Sequence, residues 1–119
     1  RIMTAEKAQY LKQMKIKRIH FAWDRYDDKD KIVPQFEAFK RVTGWDYRKM
    51  GVYVLCGFDT TLEQDLERIY TLRDMGYTPY VMIYEKYKLR RGDDLIRLQR
   101  WVNSKYAFAS VKKFENYKA

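Results

Sequence analysis

Gly51-Val52-Tyr53-Val54-Leu55-Cys56-Gly57-Phe58-Asp59-Thr60-Thr61 decides how this chain folds. The segment opens as a continuous apolar run, breaks at Gly57, and ends on two threonines that lead into a helical pattern. A short apolar run bounded by a glycine turn reads as a buried strand. Thr60 stands three residues before Glu63, the spacing of a capping box, in which hydroxyl and carboxylate satisfy free backbone amides reciprocally. Strand, glycine turn and capped helix make a β-α unit of a sheet covered by helices. In such sheets ligands sit beyond the carboxyl ends of the strands, so Gly57 to Asp59 is expected to border any site.

Working outward, the segments Lys17–Asp24 and Thr78–Tyr84 read as two further strands, with Pro79 at the start of its strand, where a lost ladder bond is tolerated. Arg1-Ile2-Met3 reads as the end of another strand, and Thr4 as the N-cap of a helix with Ala5, Ala8, Leu11 and Met14 on one face. A charged loop is expected over Arg25–Lys31. A second helix then has Pro34 in its first turn, buries Val33, Phe36, Phe39 and Val42, and stops at Gly44. The helix after the central strand turns Leu62, Leu66, Ile69 and Leu72 inward and ends at Gly76, with Glu63, Asp65 and Glu67 decorating its early turns. Asp93 caps a helix burying Leu95, Leu98, Trp101 and Val102, and a last short helix carries Val111, Phe114 and Tyr117. The loops Arg25–Lys31 and Glu85–Gly92 are the candidates for mobility.

Strand centres fall about 30 residues apart, as in a β-α barrel of ~250 residues, of which this chain is about half. The connections are long and helical, which predicts parallel strands with right-handed crossovers. The expected fold is α/β, a parallel β-α half-barrel, part of a TIM-like barrel, with about four strands and four main helices. Residues 1–119 form a single domain on this reading.

Alternation along the strands separates two faces. Ile19, Phe21, Val52, Val54, Cys56, Val81 and Ile83 make an apolar, mainly β-branched face suited to packed helices. His20, Ala22, Asp24, Tyr53, Leu55, Gly57, Tyr80, Met82 and Tyr84 make a mixed face, too polar for burial under a helix layer. A half-barrel whose concave side lines a cavity accommodates that mixture. It also gathers Asp24, Gly57 to Asp59, and Tyr84 to Lys86 on one rim.

Composition narrows the class. With 46% hydrophobic and 34% charged residues, 11 Tyr, 6 Phe and 3 Trp, the chain has the content of a folded globular domain rather than a disordered one. No apolar run approaches the ~20 residues of a membrane span. No signal peptide is read ahead of Thr4, and because the chain opens on Arg1 rather than methionine, further residues are expected upstream. The single cysteine excludes an internal disulfide and fits a reducing, cytoplasmic setting. The net charge of +9 with 17% aromatics fits a nucleic-acid surface, or else a solvated surface facing a more acidic partner half. The cations are spread along the helices, with only Lys86 to Arg91 as a local cluster, which favours the solvated reading.

The motifs resemble those of the radical S-adenosylmethionine (SAM) enzymes. Ile19-His20-Phe21-Ala22-Trp23-Asp24, the central stretch followed by Glu63 and Asp65, and Pro79-Tyr80-Val81-Met82-Ile83-Tyr84-Glu85-Lys86 are similar to the fourth, fifth and sixth strands of that partial barrel. The resemblance covers nearly the whole chain. The family's fifth-strand pattern GxIxGxxE aligns on Tyr53, Leu55, Gly57 and Thr60; Gly57 matches, Leu55 is conservative, and Tyr53 and Thr60 depart from it. The resemblance implies SAM contacts from Asp24, Leu55, Gly57, Met82 and Tyr84, and a substrate-facing set of His20, Tyr53, Tyr80, Asp59 and Glu85. It also implies a [4Fe–4S] cluster on a CxxxCxxC loop and a 5′-deoxyadenosyl radical made from SAM. That loop would lie upstream of Arg1, so no cofactor is expected on this chain alone, and the missing N-terminal half of the core is the expected partner.

Taken as residues, His20 stands apart from any cysteine or second histidine and reads as a hydrogen-bonded interior lining group rather than a metal ligand. Cys56 reads as a small buried hydrophobe. Asp24 and Asp59 have the chemistry for ribose hydroxyls or proton transfer, and equally for capping helices and bracing loops. Gly57 suits both a tight turn and close approach of a ligand. Raw strand edges at Ile2 and at the Thr78–Tyr84 strand predict self-association. A basic α/β module for nucleic acid is the alternative function.

Overall fold

The apolar run at the centre of the chain forms the middle strand of a parallel sheet, with the other strands on either side. A computed structural model describes residues 5–13 and 17–118. Its strands are β1 (Ile19–Trp23), β2 (Met50–Cys56) and β3 (Thr78–Ile83), in that order, all parallel. The helices are α1 (Ala5–Gln13), α2 (Lys29–Thr43), α3 (Leu62–Asp74), α4 (Asp94–Asn103) and α5 (Lys105–Ser110). The architecture is α/β, as the alternation of strand and helix patterns required. The expected strand at Arg1-Ile2-Met3, the cap at Thr4 and the helix position of Met14 lie outside the described residues.

The apolar face of the sheet holds the core. Val52, Val54, Cys56 and Val81 are buried there with Ile69 and Leu72 of α3 and Leu98 and Trp101 of α4. Phe21 of β1 packs with Phe36 and Phe39 of α2, ring centroids 5.3 and 5.1 Å apart. Each such enclosed side chain contributes about 1.5–3 kcal/mol relative to exposure. Phe114 and Phe108 close on Trp101 at 5.7 and 4.9 Å, sealing the far end.

Several local expectations are corrected. The cap of α3 is one residue later than the spacing of Thr60 and Glu63 suggested: Thr61 accepts from the Gln64 amide, and the Gln64 side chain accepts from the Thr61 amide. Glutamine closes the box as well as glutamate, and Thr60 is drawn away to Asp65. The segment Arg25–Lys31 is not a loop throughout: a 3-10 turn over Tyr26–Asp28 runs into α2, which starts at Lys29. Pro34 therefore lies inside the helix rather than in its first turn. Tyr26 and Lys29 both bond Glu67 of α3, which tethers the early helix start. These bonds, Lys29 first, hold the Glu67 carboxyl below its usual range. The last short helix expected on Val111, Phe114 and Tyr117 is instead a single 3-10 turn over Phe114–Asn116 with Val111 and Tyr117 extended, and α5, which precedes it, was not expected.

The edge of β3 is covered. Tyr84 N–H reaches Cys56 O at 3.0 Å, so even positions of β3 turn toward β2 and odd positions outward. Pro79, first of the outward residues, has no N–H. Val81 N–H donates to Asn103 Oδ1 at 2.8 Å, and its carbonyl accepts from Gln99 and Asn103, both at 3.1 Å. Two amide side chains of α4 thus take the place of a neighbouring strand at Val81, so the edge expected to be raw is covered at that residue.

Candidate functional site

The opposite face of the sheet carries no helix among the described residues. Parallel register aligns its side chains in rows: His20 beside Gly51, Ala22 beside Tyr53 and Tyr80, and Leu55 beside Met82. His20, Ala22, Tyr53 and Met82 are exposed, and Leu55 and Tyr80 half-buried. His20 stacks on Tyr53 at 5.2 Å and leans on Tyr80 at 5.9 Å, and the two tyrosines are 5.8 Å apart. Gly51 lies beneath them: a Cβ there would sit 2.8 Å from His20 Cδ2 and 3.0 Å from Tyr80 Cε2. Only a residue without a side chain lets this ring cluster close over the strand.

The histidine is thus a surface ring in a π cluster, not the enclosed hydrogen-bonded group expected of it. Tyr80 is fixed from below, where Arg18 donates to its hydroxyl and lies over its ring at 5.2 Å. The substrate-facing trio of the sequence reading, His20, Tyr53 and Tyr80, is brought together in space.

The carboxyl ends of the strands form a rim. Asp24 follows β1, Gly57 to Asp59 follow β2, and Tyr84 and Glu85 follow β3. Phe58 and Tyr84 meet across the β2 and β3 ends with centroids 4.7 Å apart, both partly exposed. Asp59 and Glu85 have φ of 55° and 48°, the non-glycine residues held in the left-handed region among those described. Such strain is retained only where surrounding structure enforces it, and it recurs at ligand sites. Asp24 and Asp59 are exposed, with no polar partner among the described residues. Glu85 is not free: it accepts from Tyr87 and pairs with Lys88 at 2.8 Å. Gly57, with φ 76°, is closed on one side, where an added Cβ would stand 2.7 Å from Leu95 Cδ1.

Beneath the rim lies a polar group that the sequence reading placed on the surface. Asp65 is fully buried, not a decoration of the early helix, and it pairs with the equally buried Arg68 at 2.7 Å. Asp65 also accepts from Gly57 N–H at 3.2 Å and Thr60 Oγ1 at 2.6 Å, fixing the β2–α3 turn. Arg68 donates to Trp23 O and Leu55 O, both at 2.7 Å, bridging the carboxyl ends of β1 and β2. The signal was present in the i, i+3 spacing of opposite charges. Only the tertiary packing, however, turns that pair inward.

Cys56 lies on the helix side, fully buried, and burial pushes its thiol up to about 12. An iron–sulfur cluster requires several thiolates. The sole cysteine is inaccessible, and among the described residues no group of three or more His, Cys, Asp or Glu side chains converges to hold a metal. The residues of this chain do not fit a cluster. The open face presents rings and the apolar Leu55–Met82 pair, with the Asp24 and Asp59 carboxylates at its rim. No described helix is long and apolar enough to cross a membrane.

Compared with known families, curated proteins and solved structures, the chain matches none.

Proposed function

We propose that this chain is the SAM-contacting and substrate-facing half of a radical SAM-like enzyme core. The observation that carries the reading is the one-sided cover of the sheet. Helices lie on the apolar face, while the face bearing His20, Tyr53, Tyr80, Leu55 and Met82 is open and leads to a rim shared by all three strand ends. A contiguous aromatic and apolar face of this kind marks a surface that another group covers. In a parallel β-α sheet the carboxyl ends of the strands are where that group binds.

On this reading Leu55, Met82 and Tyr84 supply an apolar wall for the adenine, Gly57 leaves the turn close to it, and Asp24 accepts from ribose hydroxyls. Asp59 and Glu85 stand above, toward the substrate, with Glu85 requiring release from Lys88 to act. SAM with its cluster would supply the radical chemistry, and the cluster's thiolates would come from residues outside this chain. The residues here bind, orient and exclude water.

The test is a titration of the isotopically labelled 119-residue chain with SAM, followed by amide chemical shifts. Saturable shifts centred on Leu55, Gly57, Met82 and Tyr84 are expected. Shifts absent at millimolar SAM, or confined to the amino ends of the strands, overturn the reading. So does a stable [4Fe–4S] spectrum after reconstitution of this chain by itself.

A further inference from the structure

The amino end of the sheet, opposite the rim, holds a cleft of about 560 Å³. Segments far apart in sequence bring cations to it: Arg18 before β1, Arg48 before β2, Arg73 in the last turn of α3, and Lys105 and Lys112 on either side of the α5 body. Among the described residues no carboxylate lines it. Arg48 is partly neutralised by Asp46 at 2.8 Å, whereas Lys105 and Lys112 have no ion pair among the described residues. The Arg73 guanidinium lies over the rings of Tyr70 and Phe108 at 4.9 and 5.3 Å and donates to Lys112 O at 2.8 Å. It is therefore held in place rather than free to leave. Arg18 Nε is buried and finds no acceptor among the described residues. Tyr47, 57% exposed, supplies a ring at the mouth.

Like charges gathered in a concave, half-enclosed space repel unless an anion joins them. The volume lies in the range of small-ligand sites. Guanidinium groups with ammonium groups and an exposed ring match a phosphate ester bearing an aromatic base. We propose that this cleft binds a nucleotide unit, with its phosphate on Arg18, Arg73, Lys105 and Lys112 and its base against Tyr47. The nucleotide is either free or one link of a single strand. The proposal stands independently of the rim, since SAM carries no phosphate and the two sites lie at opposite ends of the sheet.

The test uses the 119-residue chain with a short fluorescein-labelled oligouridylate, read by anisotropy, and AMP as competitor. Wild type binds with an affinity that falls as salt rises. The exposed pair Lys105→Glu/Lys112→Glu loses about tenfold or more and lowers the log–log salt slope by about 0.7, the value for one single-strand phosphate contact. The control pair Arg90→Glu/Arg91→Glu, beyond the rim, keeps wild-type affinity within about twofold. Displacement by AMP assigns the site to free nucleotides; binding of the oligonucleotide that AMP does not displace assigns it to a strand. No binding of either probe at low salt, or equal losses in the two charge-reversed pairs, overturns the proposal. Circular dichroism of each variant separates lost binding from lost folding, and should a charge-reversed pair unfold, Lys105→Gln/Lys112→Gln decides by the same slope.

Discussion

Asp65 and Arg68 face each other one helical turn apart with both side chains fully enclosed and 2.7 Å between carboxylate and guanidinium. The pair sits where three loop and strand segments meet, since it also binds Gly57 N–H, Trp23 O and Leu55 O. Removing one member leaves a buried charge without its counter-charge, which costs about 3–5 kcal/mol. Asp65→Ala and Arg68→Met are each expected to lower stability by that amount in urea denaturation. The double variant Asp65→Leu/Arg68→Met should recover part of it, the shortfall being the Trp23 and Leu55 carbonyls left without a donor and Gly57 N–H and Thr60 Oγ1 left without an acceptor. Single variants within about 1 kcal/mol of wild type would show the pair to be dispensable.

Gly51 is the floor of the His20–Tyr80 cluster. Gly51→Ala places a methyl against both rings, closer than ordinary contact allows. The His20 ring is exposed and swings away rather than unfold the sheet, at a cost of about 1–3 kcal/mol. The expected readout is a folded protein whose His20 ring proton shifts move toward free histidine as stacking is lost. Unchanged His20 shifts in that variant would mean the cluster is not formed.

Burial raises the Cys56 thiol from 9.0 to about 12, with Asp65 adding to the effect. The sign follows from linkage. Between these values the unfolded chain has released the proton and the folded chain has kept it, so stability falls as pH rises through that window. Native protein should be inert to a thiol reagent at pH 8 and react once in guanidinium. Cys56→Ala should flatten the alkaline limb of stability between pH 9 and 11 relative to wild type. Reaction of the native thiol at the rate of the unfolded chain would contradict the enclosed position of Cys56.

The edge of β3 relies on two amides. With Gln99→Ala/Asn103→Ala, Val81 N–H and C=O lose their partners. An unsatisfied buried group costs about 1–3 kcal/mol, and a bared strand edge invites pairing with another copy. Lower stability and a concentration-dependent rise in mass by light scattering are expected. A variant as monodisperse as wild type would show that β3 needs no cover.

Much of this molecule was legible in the chain because local rules acted without competition. The apolar run at Met50–Cys56, the stop at Gly44 with φ 68° and the cap at Asp93 each depend on residues within a turn of themselves. The period of two along each strand separated the covered face from the open one before any contact was known. Long helical connections required parallel pairing. Tertiary structure decided what adjacency in sequence does not encode. Asp65 is buried because Arg68, Gly57 and Thr60 converge on it, although its helix position looked like a solvated first turn. Glu67 draws Tyr26 and Lys29 across 41 and 38 residues and so starts α2 before Pro34. Arg18, Arg48, Arg73, Lys105 and Lys112 read as scattered cations until the fold collects them. Charge acts through space, and a sequence orders its charges only along the chain.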